Sequence, residues 1–200
     1  MTDAPEAVDR PAAPPDRRFR LVLTGALVVL LLAAAGCLVW LLAERRGAAT
    51  DAQRERDAVV RETEQFVLRL NSYGPDDLDS QGHLTDYKDR VLSVMSAKFG
   101  SDFEQSGLSL AEQTVAQSGY GRTAEVYGVG VDRIDGDSAT AVVAGALTGS
   151  YPDPKAPKDD SKRVDDQPQV LRWSVDLVRV GGHWLVDDYT PVSAEGEGKQ

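Results

Sequence analysis

One apolar run near the N-terminus constrains this 200-residue chain more than any other feature of its sequence. Residues 21–42 read LVLTGALVVLLLAAAGCLVWLL and include no charged side chain. Because a helix rises about 1.5 Å per residue, a run of this length can cross the ~30 Å hydrocarbon core of a bilayer. The sequence therefore predicts one N-terminal transmembrane helix at residues 21–42, retained as an anchor.

A cleaved lipoprotein signal is the alternative interpretation of the same run. The segment AAGC at residues 34–37 resembles a lipidation box and follows a basic segment. The apolar residues nevertheless continue through Leu42, where a lipidated mature N-terminus is usually polar. Retention of the run as a membrane anchor is the favoured interpretation.

The flanking charges give the predicted orientation. Three arginines lie close before the run and two directly after it, and a long C-terminal domain can cross a membrane largely regardless of its charge. We therefore expect residues 1–20 to form a disordered cytoplasmic tail. The domain that follows the span is predicted to lie outside the cytoplasm, in a protein of the cell membrane.

Composition limits what the outer domain can do. The chain has a formal charge of −10, and without residues 1–46 it keeps 16 basic and 27 acidic residues, or −11. This balance argues against a nucleic-acid partner, because such surfaces are basic. The sole cysteine, Cys37, lies in the apolar run, so burial of a hydrophobic core must hold the outer domain together.

Helical spacing of apolar residues continues after the span. It predicts a juxtamembrane helix within residues 43–72, ended by the turn signal NSYGP. A second helix is expected to run from Leu84 to Phe103, and a short third one covers residues 108–117.

Beyond Arg122 the apolar period changes to two, which is typical of strands. One hairpin is predicted around Asp135-Gly136 and a second around Gly181-Gly182. The proline-rich segment 150–169 between them is expected to be a flexible loop, and residues 193–200 a disordered tail. Helices followed by four antiparallel strands predict an α+β domain over residues 73–192, with helices packed on a curved antiparallel sheet.

Several segments together resemble the actinobacterial Mce-associated membrane proteins. They are the apolar run, NSYGPDDLD, the helix reaching KFGSDF and, most specifically, LVRVGGHWLVDDYTPV near the C-terminus. The resemblance implies an outer domain similar to NTF2-like proteins and to the periplasmic domains of VirB8-type secretion proteins. It also implies a non-enzymatic accessory subunit of an Mce-type complex that moves lipids or sterols in the cell envelope. Its partners would be Mce proteins, their permease subunits and a lipid ligand.

Two other functions remain open at the level of sequence. One is a VirB8-like scaffold of a conjugation or secretion channel. The other is an NTF2-like small-ligand binder or enzyme that uses the interior of the domain. No catalytic, metal-binding or cofactor-binding motif is predicted, and His83 and His183 are expected to be bystanders.

The terminal hairpin carries most of the candidate structural or interaction residues. A two-residue turn would place Arg179 opposite Trp184, in range of a cation–π contact. It would also place Asp176 opposite Asp187, where two like charges repel each other across the ladder.

The remaining candidates continue this hairpin. Asp188 and Pro191 extend the strand that completes the packing of the sheet on the helices. Trp173 lies on the apolar face of the preceding strand, where core packing is the favoured interpretation. The alternative is that Trp173 lines a concavity that holds an apolar ligand.

Overall fold

A computed structural model describes residues 17–156, 159 and 162–192 of the chain. The tails predicted for residues 1–16 and 193–200 lie outside the described residues. Backbone contacts divide the chain into two compact units, Met1–Asp51 and Ala52–Gln200. Helix α1, Arg17–Leu70, contributes residues to both units.

In the first unit, the described residues form the N-terminal part of α1. The helix includes residues 17–20, which the sequence analysis assigned to the tail. Its described apolar side chains are exposed, among them Val22 at 72% and Leu32 at 69%. Among the residues that the structure describes, no helix has the length and hydropathy that a bilayer crossing requires. The span at residues 21–42 stays a prediction from the sequence.

The second unit continues with short helical elements. These are a 3-10 turn at Pro75–Asp77, α2 at Thr85–Leu92, α3 at Ala97–Asp102, a π-helical turn at Phe103–Gly107 and α4 at Leu108–Ser118. The short third helix predicted at residues 108–117 is confirmed. The single helix predicted from Leu84 to Phe103 is wrong, because the chain leaves the helical conformation between α2 and α3.

The interruption between α2 and α3 has a clear physical cause. The Ser96 hydroxyl caps α3 by accepting a hydrogen bond from the Phe99 N–H at 3.2 Å. The preceding residues bind to the edge of the sheet: the Ser96 N–H donates to the Val186 carbonyl at 2.7 Å, and the Val186 N–H donates to the Val94 carbonyl at 2.9 Å. An unbroken helix would lose both the cap and these sheet contacts.

The sheet contains five strands: β1 Gly121–Asp135, β2 Ser138–Pro152, β3 Arg163–Asp165, β4 Gln169–Val180 and β5 His183–Pro191. Its order is β1-β2-β4-β5, with every pairing antiparallel and β3 paired to β2. The turn between β4 and β5 has positive φ at Gly181 and Gly182, 60° and 85°, as a primed two-residue turn requires. The turn between β1 and β2 consists of Gly136 and Asp137, one residue later than predicted. The predicted α+β fold, with helices and an antiparallel sheet, is confirmed.

Both ends of the predicted loop 150–169 are ordered into the sheet. Ser150–Pro152 belongs to β2 and pairs with β3, so the loop prediction is wrong for these residues. The Arg163 side chain explains the pairing, because its Nη2 donates to the carbonyls of Gly119 and Ser150 at 2.7 and 3.0 Å. This guanidinium joins β3 and β2 to the C-terminal end of α4.

Irregularities in register bend the strands of the sheet. In β1, register shifts fall at Tyr127 and Asp132, and such bulges increase twist and bend a strand. In β5, a shift follows Val186, so that Asp176 lies opposite Asp188 and not opposite Asp187. The pairing predicted for the two carboxylates is therefore wrong by one residue, whereas Arg179 does pair with Trp184.

One hydrophobic core lies between the helices and one face of the sheet. Its fully buried side chains come from α1, α2 and its N-terminal flank, α4 and strands β2, β4 and β5. They include Val59, Phe66, Leu84, Tyr87, Val91, Val115, Val143, Leu171, Val175, Leu177 and Val186.

A candidate ligand-binding cavity

The predicted pair Arg179–Trp184 stabilises the terminal hairpin. The guanidinium carbon of Arg179 lies 5.7 Å from the centre of the Trp184 ring, which confirms the predicted contact. Nη1 of Arg179 also binds Oε1 of Glu55 on α1 at 2.6 Å. Trp184 is 5% exposed, so its ring packs the hairpin, and it also lines a second pocket of about 540 Å³ beside α1.

Asp187 and Asp188 have separate roles. Asp187 occupies the bulge in β5, where Oδ1 accepts a hydrogen bond from the Ser96 hydroxyl at 2.6 Å. Asp188 is exposed and its Oδ1 accepts from the Tyr189 N–H at 2.8 Å. Opposite it, Asp176 accepts from the Thr140 hydroxyl at 2.8 Å. These contacts give Asp187 a structural role in joining β5 to α3.

Trp173 lines a cavity between the helical elements and the sheet. Its ring centre lies 4.4 Å from that of Tyr189 and 6.4 Å from that of Phe66. Pro191 is the β-partner of Trp173 at the end of β5. Trp173 packs against the core, as favoured from the sequence, and it also lines a cavity, which was the alternative.

The cavity has a volume of about 750 Å³ and lies between the helical elements and the sheet. Helices α3 and α4, with the π-helical turn between them, form one wall, and β1, β2, β4 and β5 contribute to the other. Its lining is dominated by aromatic side chains: Tyr73, Tyr87, Phe99, Phe103, Tyr120, Tyr151, Trp173 and Tyr189. Five of the six tyrosines in the chain are in this set.

The aromatic rings form two contacting groups. Tyr73 lies 5.0 Å from Tyr87, and Tyr87 lies 6.0 Å from Phe103, between ring centres. Tyr73 also lies 6.3 Å from Tyr120, which lies 5.2 Å from Tyr151. The second group consists of Phe99, Trp173 and Tyr189. Such tilted and edge-on contacts are the favoured geometries for aromatic pairs and give the wall a defined shape.

Small residues make room for these rings. A Cβ added at Gly149 would lie 2.9 Å from the Tyr120 ring, and one added at Gly107 would lie 2.9 Å from the Phe103 ring. Glycine at these two positions therefore allows the aromatic side chains to lie flat against the backbone.

Few side chains in the cavity lining are charged. The Tyr87 hydroxyl donates to the Leu70 carbonyl at 2.9 Å, and burial raises the pKa of Tyr87 far above its usual range. Burial likewise raises the pKa of Tyr73 and of Tyr189, so the three phenols stay neutral. Arg122 and Asp102 are the charged side chains among the described lining residues.

Sequence reasoning missed most of this site. The sequence pattern marks Arg122 only as the point where the strand period begins. It places the tyrosines in separate helices, turns and strands. The local signal was weak, because the five cavity tyrosines lie in polar or turn-like segments: NSYGP, TDYKD, SGYGR, GSYPD and DDYTP. Within the described residues, no group of three or more His, Cys, Asp or Glu side chains is positioned to hold a metal ion.

No family model matches the sequence. Two uncharacterized proteins of Mycobacterium tuberculosis, from strains CDC 1551 / Oshkosh and H37Rv, are each 28% identical over 168 residues. These residues cover 83% of this chain and 69% of either relative. Neither relative bears on the resemblance to Mce-associated proteins, which stays a prediction.

Solved structures similar to this chain include secretion, conjugation and NTF2-like proteins. A VirB8 homolog of the T4SS from Helicobacter pylori is 11% identical with a TM-score of 0.48, covering 70% of this chain and 99% of its own. An NTF2-like superfamily protein from Salmonella enterica is 11% identical with a TM-score of 0.43, covering 74% and 99%. An Ntf2-like protein involved in plasmid conjugation is 11% identical with a TM-score of 0.41, and the chain spans 50% of its length. At TM-scores below 0.5, the fold class rests on the chain's own helices and sheet.

Proposed function

We propose that the folded domain binds an apolar ligand in the aromatic cavity, as part of a membrane-anchored accessory subunit of an Mce-type lipid or sterol transport complex. The observation that carries the proposal is the cavity itself. Small-molecule pockets have volumes of about 300–1,000 Å³ and mainly apolar, aromatic walls with few polar groups. A volume of about 750 Å³ lined by eight aromatic side chains fits this description.

The anchor and the partners rest on the sequence. The charge-free run at residues 21–42 supports a single span, and its described apolar side chains are exposed in the chain by itself. The resemblance to Mce-associated membrane proteins supports Mce proteins and their permease subunits as partners. The domain would then lie outside the cytoplasm, where it could receive lipid from the complex.

We propose a binding role and not an enzymatic one. Apart from tyrosines, the ionisable side chains among the described cavity-lining residues are Arg122 and Asp102. Catalysis by proton transfer or nucleophilic attack requires a nucleophile or base held within hydrogen-bond reach of a partner. Neither histidine contributes to this lining, and His83 instead faces Glu112 at 3.5 Å.

Ligand binding is tested by narrowing the cavity. Thr114 on α4 lines it, and its hydroxyl binds only the carbonyl of Leu110 one turn earlier, so Thr114→Trp should fill space without breaking a tertiary contact. Ala116→Trp, on an exposed position of the same helix outside the lining, is the matched control. Full-length protein is extracted in mild detergent and its bound lipids are identified by mass spectrometry. We expect lipid with the native protein and with Ala116→Trp but not with Thr114→Trp; equal lipid in all three would contradict the proposal.

Topology and partners are tested separately. A reporter that is active only outside the cytoplasm, fused after Gln200, should be active. Purification from cells that express the complex should recover Mce proteins or permeases. Recovery of secretion or conjugation subunits instead would support the VirB8-like scaffold and contradict the Mce assignment.

A further inference from the structure

Arg122 lies at the start of β1, where the strand enters the cavity wall. Its guanidinium carbon is 5.7 Å from the ring centres of both Tyr73 and Tyr120. Its Nε donates to the Tyr120 hydroxyl at 3.2 Å. The backbone is fixed as well, because Arg122 exchanges two hydrogen bonds with Tyr73, at 2.8 and 3.0 Å. The side chain is thus held in one place, half-buried beside two aromatic rings.

The charge of Arg122 has no acidic partner in the part of the chain that the structure describes. No carboxylate oxygen lies within 4.0 Å of its nitrogens, although the chain has 32 acidic residues against 22 basic ones. The other charged residue of the lining, Asp102, is exposed. Half-buried arginines are normally paired, because taking a charge out of water is unfavourable.

The tyrosines around Arg122 do not neutralise it. Burial acts to lower the pKa of Arg122, but the hydrogen bond to Tyr120 and the nearby phenols outweigh burial, so the pKa is raised and the guanidinium stays charged. Burial also raises the pKa of Tyr73, which keeps that phenol neutral. With Nε used by Tyr120, no protein acceptor among the described residues binds the two Nη groups. This is the paired edge that a carboxylate recognises.

We propose that the cavity selects an apolar molecule with one carboxylate group, held by the Nη1 and Nη2 atoms of Arg122 while the apolar body lies against the aromatic wall. A planar carboxylate matches the two parallel N–H donors of a guanidinium edge. One unpaired positive charge also matches a carboxylate better than a phosphate monoester, which has a charge of about −1.5 to −2. The inference depends on the proposed apolar-ligand function and adds the chemical class of the ligand.

The test compares decanoate with its methyl ester, decanol and decyl phosphate. Full-length protein is placed in phosphatidylcholine nanodiscs, and binding is followed by tryptophan fluorescence. The chain has three tryptophans, so Trp173→Phe identifies the signal from the cavity wall, and protein-free nanodiscs correct for partitioning. A charge-assisted hydrogen-bonded pair should make decanoate bind about tenfold or more tighter than the methyl ester or decanol. Decyl phosphate binding more tightly than decanoate would overturn the assignment to a carboxylate.

Arg122→Met removes the charge and keeps most of the side-chain length. We expect it to reduce the affinity for decanoate about tenfold, to that of decanol, and to leave decanol binding unchanged. Arg133→Met, at an exposed position on the same strand outside the lining, is the matched control and should alter neither ligand.

The outcomes separate the two proposals. If decanoate, its ester and decanol all bind equally to the native protein, Arg122 selects no headgroup and this inference is wrong, while the apolar-ligand function stands. If none of them binds and lipid extraction also fails, the proposed function is wrong. Should Arg122→Met not fold, the comparison of decanoate with its methyl ester on the native protein decides the question alone.

Discussion

The contact between Ser96 and Asp187 is expected to connect α3 to β5 energetically. Ser96 is 6% exposed, and its hydroxyl donates to Oδ1 of Asp187 at 2.6 Å while accepting from the Phe99 N–H. We consider the changes Ser96→Ala, Asp187→Ala and both together. The double-mutant cycle isolates the free energy of the pair.

The expected magnitude follows from burial and charge. A hydrogen bond to a charged group contributes about 1.5–3 kcal/mol. Because the carboxylate of Asp187 is only half-buried, screening by solvent reduces this contribution. We therefore expect a coupling free energy of about 1–2 kcal/mol. Ser96→Ala should cost about 1 kcal/mol more, because it also removes the cap of α3.

A matched pair of amide substitutions tests the register. Asp187→Asn keeps an acceptor for Ser96 and should cost less than Asp187→Ala. Asp188→Asn removes one of the two carboxylates that lie opposite each other, Asp176 and Asp188, and should be neutral or slightly stabilising.

The assay is urea unfolding of the full-length protein, followed by near-ultraviolet circular dichroism. The midpoint and the slope together give the free energy of unfolding for each variant. A coupling free energy below about 0.3 kcal/mol would refute the role of the pair. So would stabilisation by Asp187→Asn together with destabilisation by Asp188→Asn, because that pattern requires the unbulged register.

Two further predictions concern the stability of the terminal hairpin and the loss of stability at acid pH. Trp184→Ala should reduce the free energy of unfolding by about 3–5 kcal/mol, because the ring is 5% exposed. Arg179→Met should reduce it by less than about 1 kcal/mol. Equal losses for the two variants in urea unfolding would contradict this prediction. Asp79 has a pKa below its ordinary value of 3.8, first because the His83 N–H donates to its carboxylate. The ionised Asp79 carboxylate therefore stabilises the fold above pH 3.8, and this stabilisation is lost as the pH falls through the lowered pKa. The difference in the free energy of unfolding between the native protein and Asp79→Asn should shrink on acidification. A difference that does not change with pH would contradict the prediction.

Local sequence signals predicted the turn and the first residue pairs of the terminal hairpin. They did not predict its bulge. Two adjacent glycines identified the turn, and the alternation of apolar residues gave the pairs from Val180–His183 to Leu177–Val186. The bulge that follows depends on Ser96, which lies 91 residues earlier in the chain. No pattern within the hairpin contains that information.

Contacts between residues that are far apart in the sequence also explain why local patterns predicted neither the break between α2 and α3 nor the cavity. Apolar spacing across residues 84–103 fits one helix, and only the sheet edge at Val186 shows why the chain departs from it. The cavity tyrosines lie among polar and turn residues, as in NSYGP, TDYKD and DDYTP, so no local pattern marks them as parts of one site. Periodicity indicates which face of each element is apolar, but not where two layers separate and leave a space between them.

The lining of the cavity indicates that it holds a ligand. Its helical wall contributes small residues, Ser106, Gly107, Ala111 and Ser118, opposite large aromatic rings. Filling such a space with larger side chains generally stabilises a domain, and natural sequences retain unfilled space where function needs it. The core nearby is closed completely, with Val143 and Val175 fully buried, so the fold is able to pack tightly. An aromatic-lined opening with an arginine that has no carboxylate partner among the described residues is therefore better explained by a ligand than by incomplete packing.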